Sequence, residues 1–307
     1  MSSAHKQNEL FRWHFGFLLF LVASVLVFWT PLRSLISFSL TYDYGSYILF
    51  VVPISGYLIY EKRDEIFSIA HADLLAGSVL SLTGILLWWF AERHSPPSLQ
   101  GSSFSLVVLA IVIVWISGFI FCYGTRAFAR ASFPMLFLLL LVPIPEFLID
   151  KIIFLLQTGS AAVAYWLLRL LQVPVYKQGF ILRLPGLDIE VAKQCSGIRS
   201  SLGLLITTLL VGEFALRSGW RKLVFTFSAL PILILKNGVR IVAVCLLSIY
   251  VDRGFLHGWL HTSGGVVFYL LGLAILVPIL AVLRKSEERA ASASAFSSAD
   301  LLTARQK

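Results

Sequence analysis

The chain is 307 residues long, 58% hydrophobic and 14% aromatic with only 13% charged residues, and its mean hydropathy is +0.85. Such values lie beyond what a soluble domain carries, so a water-soluble enzyme is excluded. Lys and Arg outnumber Asp and Glu by 25 to 16, for a net charge of +9, but these cations sit mainly in short loops and ends, where they report membrane topology and not a nucleic-acid partner.

Several apolar runs reach about 20 residues, which spans a hydrocarbon slab of roughly 30 Å at 1.5 Å per helical residue. The expected fold is an all-α polytopic membrane protein with about eight transmembrane helices. Residues 1–14 read as a cytoplasmic N-terminal segment, 15–283 as one membrane-embedded domain and 284–307 as a disordered cytoplasmic tail.

The run from Phe15 to Thr30 lacks an A-x-A cleavage site and reads as a retained first helix. Tyr44 to Tyr60 follows with Pro53 inside it, then Leu74 to Ala91 and Phe104 to Cys122. Lys6 and Arg12, Lys62 and Arg63, and Arg126 and Arg130 fall on alternate loops and mark them as cytoplasmic, which leaves the Pro96-Pro97 loop outside. Ala131 to Val142 ends at Pro143-Ile144-Pro145-Glu146, where the prolines force an extended bend. Phe147 to Val173 carries Asp150, Lys151 and Arg169. Placing it in the outer interface, or as a re-entrant segment, keeps Arg217, Arg221 and Lys222 cytoplasmic and is the preferred arrangement.

Between Val173 and Gln194, two alternating apolar stretches split by Pro185-Gly186 predict a small β-hairpin at the outer surface, just before Cys195. There it could offer an edge to an extended peptide. Leu202 to Leu216 and Leu223 to Tyr250 are the next helices, the second with Pro231 and Asn237-Gly238 as potential kinks. Gly264 to Leu283 is the last, before the Ala/Ser-rich stretch from Ser286 to Lys307.

Along straight helices, Cys195 lies about 33 Å from Arg217, Arg240 about 26 Å from Leu223 and His261 about 34 Å from Arg284. A thiol, a guanidinium and an imidazole therefore reach one depth near the outer leaflet. A lone cysteine is more often packing than chemistry, and Cys122 and Cys245, in apolar helix sequence, read that way. An arginine in an apolar helix is functional by default, with snorkelling as the bland alternative. His257 and His261 share a helix face by spacing, but Asp252 is their only weak companion, so neither a metal nor a cofactor is expected.

An acyl-transfer enzyme needs a thiolate, a proton carrier for the leaving amine and a donor to the tetrahedral oxyanion. Cys195, His261 and Arg240 are of those types. Lys236 and Arg199 are further cations able to position a substrate carboxylate or to reach headgroups.

Three motifs together resemble the exosortase/archaeosortase family of membrane-embedded cysteine transpeptidases. Cys195-Ser196-Gly197-Ile198-Arg199-Ser200 is similar to its cysteine motif, Asn237-Gly238-Val239-Arg240 to its N-x-x-R, and His261-Thr262-Ser263-Gly264 to its histidine motif, in the family's order. Weaker likeness extends to Pro143-Ile144-Pro145-Glu146 and to Tyr44 through Arg63.

The resemblance implies Cys195 as nucleophile, Arg240 as oxyanion or thiolate stabiliser and His261 as general acid/base, supported by Ser196, Gly197, Arg199 and Asn237. It implies membrane-anchored secreted substrates with C-terminal sorting tails of PEP type, and an acceptor such as a lipid or polysaccharide. It also implies a place in the cell inner membrane with the site facing the periplasm. Thr262 stands where the family often has an acidic residue. A non-enzymatic protein holding an anionic lipid or anion through Arg240, Lys236 and Arg199 is the alternative, and an assembly partner for polysaccharide export is a third.

Overall fold

The computed structural model describes residues 3–93, 101–193, 197–256 and 265–305. Two compact units divide the chain, Met1–Ile149 and Asp150–Lys307. All described regular structure is helical except one three-stranded sheet in the second unit. Among the described residues six helices are long and apolar enough to cross a membrane, or seven when one bent pair counts as a single span.

In the first unit, α1 (Ser3–Val27) meets α2 (Trp29–Thr41) at a bend of 77°. Pro31 causes it, because its ring would collide with the carbonyl of Val27 and it has no N–H to donate. The expected first helix, Phe15 to Thr30, therefore stops at Val27. α3 (Ile48–Glu61), followed by the short α4 (Arg63–Phe67), is only 14 residues long. At about 21 Å it falls short of a bilayer.

α5 (Leu74–Arg93) and α6 (Ser102–Arg130) form the hairpin at the centre of this unit, bridged by the Ser81 and Ser117 hydroxyls at 2.6 Å. α1 packs on α6 through Trp115, whose Nε1 donates to Ser24 Oγ at 2.9 Å. α7 (Ser132–Phe137) and its 3-10 extension stop before Pro143, and Ser55 Oγ of α3 donates to Pro134 O at 2.8 Å. Two of the expected spans are thus short apolar segments bound to each other, which is why fewer full-length helices are found than the eight anticipated.

The second unit contains most of α8 (Glu146–Leu170), the sheet, α9 (Ile198–Ala215), α10 (Gly219–Tyr250) and α11 (Gly265–Arg305). α8 is one continuous helix of 25 residues, long and apolar enough to cross a membrane. The interfacial or re-entrant segment expected over 147–173 is unbroken helix because its charges lie near the ends and leave Ile152 to Leu168 uninterrupted. α10 also runs continuously, through Pro231 and Asn237-Gly238.

The expected hairpin is present with a third strand: β1 (Tyr176–Gln178), β2 (Ile181–Leu184) and β3 (Leu187–Glu190) pair antiparallel in that order. Alternation sets its faces. Leu182 and Leu184 are buried in a cluster with Ala161, Ala164 and Leu168 of α8 and Ile241, Val242 and Cys245 of α10, while Arg183 between them is exposed. Cys245 is fully buried there and acts as packing.

At the opposite end of this unit, Glu287 of α11 accepts the backbone N–H groups of Arg217 and Ser218, at 3.0 and 2.6 Å, and pairs with Arg221 at 3.6 Å. Lys222 donates to Glu213 at 2.6 Å. The basic clusters Arg217–Lys222 and Arg284-Lys285 therefore lie at one end of the unit, as one-sided placement requires. From Ser286 the backbone is helix to Arg305, in keeping with alanine-rich sequence and an Arg284–Glu288 pair one turn apart.

Candidate functional site

The site is built at the start of α9. Its N-cap is Gly197, at φ 68° and ψ 21°. Glycine is required twice over: the backbone is left-handed, and a Cβ would lie 2.8 Å from Asn237 Oδ1. The sharp entry into the helix is thus shaped around one side chain of α10.

Asn237 is buried at 1% exposure, and its Nδ2 donates to Ser160 Oγ of α8 at 3.0 Å. One amide accordingly joins α8, α9 and α10. Gly238 lets α8 approach, since a Cβ there would collide with Val163 Cγ1. The Asn-Gly pair in the middle of α10 is explained by these two contacts, one polar and one steric.

Lys236, the preceding residue, is also 1% exposed. Its Nζ donates to Ser200 Oγ at 2.7 Å, and Ser200 Oγ donates to Gly197 O at 3.1 Å. No carboxylate pairs with Lys236 among the described residues. A buried amine with a neutral partner is costly in an apolar helix, which marks the position as more than packing. Arg240 lies one helical turn further on and is half-buried, so two cations share one face of α10. Arg199 is exposed on the first turn of α9, where Ser201 Oγ is buried without a partner among the described residues.

The approach to this point is tied to α8. Gln157, buried, donates from Nε2 to Val191 O at 2.8 Å, and Lys193 Nζ reaches Asp150 Oδ1 at 3.0 Å. α11 closes the other side: Tyr269 Oη and Thr207 Oγ1 are 2.8 Å apart, and Gly272 packs against Leu204 and the Lys236 stem.

Of the residues singled out by sequence, Gly197, Arg199, Asn237 and Arg240 fall on these elements. Cys195, Ser196, His257 and His261 lie outside the described residues. Among the described residues no group of three or more His, Cys, Asp or Glu side chains could hold a metal. Sequence reasoning passed over Gln157 and Ser160. Their signal was a spacing of three within a largely apolar run, which puts two polar groups on one face of α8.

Fold and site together define a multi-pass membrane protein whose polar interior gathers at one end of α9 and the middle of α10. The family model described as transmembrane exosortase (Exosortase_EpsH) matches residues 39–278. The chain belongs to that family, a group implicated in membrane-associated protein sorting. Comparison with curated proteins and with solved structures gives no match.

Proposed function

We propose that the chain is a membrane-embedded cysteine transpeptidase that cuts the C-terminal sorting tails of secreted proteins at the outer face of the inner membrane. Cys195 is the nucleophile, Arg240 stabilises the oxyanion or the thiolate, and His261 carries the proton. The thiolate adds to the scissile carbonyl; the C–N bond then breaks as His261 protonates the leaving amine, leaving a thioester on Cys195. A hydroxyl or amine of the acceptor attacks that thioester, gives up its proton to His261 and regenerates the thiol.

The observation that supports this reading most is the meeting of two motifs some forty residues apart in sequence. Gly197, two residues after Cys195 in the chain, is shaped around Asn237, three residues before Arg240. Such convergence is what a cysteine motif and an arginine motif need in order to act on one carbonyl.

The test is processing of a co-expressed substrate with a PEP-type tail, read by immunoblot. Cys195→Ala should abolish the shortened product while the variant remains in the membrane. Unchanged processing would remove the thiol from the reaction and leave an anion-holding role for Arg240 and Lys236 as the better account.

A further inference from the structure

We infer that a second site, at the end of α8, binds a phosphate group at the membrane–water boundary. A cavity of about 690 Å³ opens there between the last turn of α8 and the first two strands. Tyr165, Arg169, Gln172, Tyr176 and Arg183 give it its polar lining.

Its charge is unbalanced. Arg169 lies 5.8 Å from the centre of the Tyr165 ring and donates to Tyr165 Oη at 3.3 Å, and no carboxylate pairs with it among the described residues. Arg183 is 3.8 Å from Asp188, a weak pair because both side chains are more than half exposed, and two arginines against that one aspartate leave the cavity net positive. Two guanidinium forks facing one cavity suit the oxygens of a phosphate better than they suit water.

An arginine in the last turn of a helix is commonly there to offset the dipole. Here the final carbonyls already have partners: Leu167, Leu168 and Arg169 accept from the N–H groups of Leu171, Val173 and Gln172, each at 3.0 Å. The guanidinium of Arg169 rests on Tyr165 instead, free to face the cavity.

Gln172 gives an independent indication. Its φ is 61°, the only positive value at a non-glycine residue among the described residues. At that step past a helix end glycine is the relaxed choice. The chain accepts backbone strain and in return has an amide on the wall of the cavity, beside the two arginines.

The depth favours a lipid as the source of the phosphate. Trp166, Leu170 and Leu171 are exposed at the end of a helix long enough to span, and the next element carries Lys177, Arg183 and Asp188. The change from lipid-facing to charged surface falls at the cavity, flanked by Trp166 and Tyr176, the residue types that mark headgroup level. Anionic phospholipid headgroups supply phosphate at that level.

The experiment titrates the purified full-length protein in detergent with short-chain phosphatidylglycerol, following bound lipid by native mass spectrometry. Arg169→Gln with Arg183→Gln should weaken binding about tenfold or more, whereas Arg93→Gln with Arg130→Gln, an equal loss of charge in the first unit, should not. Gln172→Gly should raise the thermal midpoint and still weaken binding, which separates lost contacts from lost folding. Inorganic phosphate that fails to compete assigns the phosphate to lipid; competition at equal concentration assigns the site to a soluble phosphate. Lipid binding unaltered in the Arg169/Arg183 variant, or weakened equally in the control, would overturn the proposal.

Discussion

The two units of the molecule bury different chemistry. In Met1–Ile149 the buried polar residues among those described are all serines, and each of Ser24, Ser39, Ser55 and Ser117 bonds to its own or a neighbouring helix or turn. Around them aromatic rings fill the interior, with Tyr123 in contact with His14, Phe17, Phe67 and Phe119. In Asp150–Lys307 the buried set includes Gln157, Arg221, Lys236 and Asn237. Small hydroxyls are cheap to bury because the helix carbonyls satisfy them; an amide or an ammonium needs a built partner. On the function proposed above, the first unit would serve as a membrane scaffold and the second as the part in which stability is given up for chemistry.

The contrast predicts opposite mutational behaviour. Arg240→Ala should lower substrate processing at least a hundredfold, on the order of one lost oxyanion donor, at unchanged membrane abundance; immunoblot ratios of shortened to intact substrate measure it. Gly197→Ala should follow. It places a Cβ 2.8 Å from Asn237 Oδ1 on a left-handed backbone, and should cost about 1–3 kcal/mol of stability together with about a tenfold loss of processing.

Lys236→Met, which keeps the stem and removes the amine, should leave the thermal midpoint in detergent unchanged or higher while processing falls several-fold. A parallel fall in both would make Lys236 a packing residue. Ser160→Ala removes the acceptor of the Asn237 amide, and about 1 kcal/mol of stability should go with it. The smallest effect belongs to the first unit: Tyr123→Phe loses the 2.8 Å bond to His14 Nδ1, should cost about 1 kcal/mol or less, and should leave processing untouched. A processing defect there would break the division of labour between the units.

Much of the helical plan was legible because long apolar runs have few alternatives in a membrane, and the boundaries of α5, α9 and α10 were read to within a few residues. The bend at Phe28 was legible in principle from Pro31, but the apolar run continues across it and composition does not register a break. α3 and α7 were overcounted because hydropathy reports affinity for lipid and not helix length: α3 begins only after the 3-10 turn Asp43–Gly45 and ends before Lys62, and the segment holding α7 stops before Pro143. The motif Asn237-Gly238-Val239-Arg240 was visible as an anomaly in an apolar helix. Its partner Ser160 was not, nor was Gln157, which bonds Val191 O, because pairing across elements depends on helix rotation, which no single-segment pattern contains. Lys236 was noted, yet its contact with Ser200 required two helices to be seen together.

The measurement that bears most directly on the central claim is trapping of the covalent intermediate. Wild-type protein is incubated in membranes with a tailed substrate, quenched in acid and analysed by peptide mass spectrometry. The account predicts a substrate fragment joined to Cys195 through a thioester, released by neutral hydroxylamine and missing in Cys195→Ala. Continued formation of shortened substrate by Cys195→Ala, with no thioester on the wild-type cysteine, would contradict it.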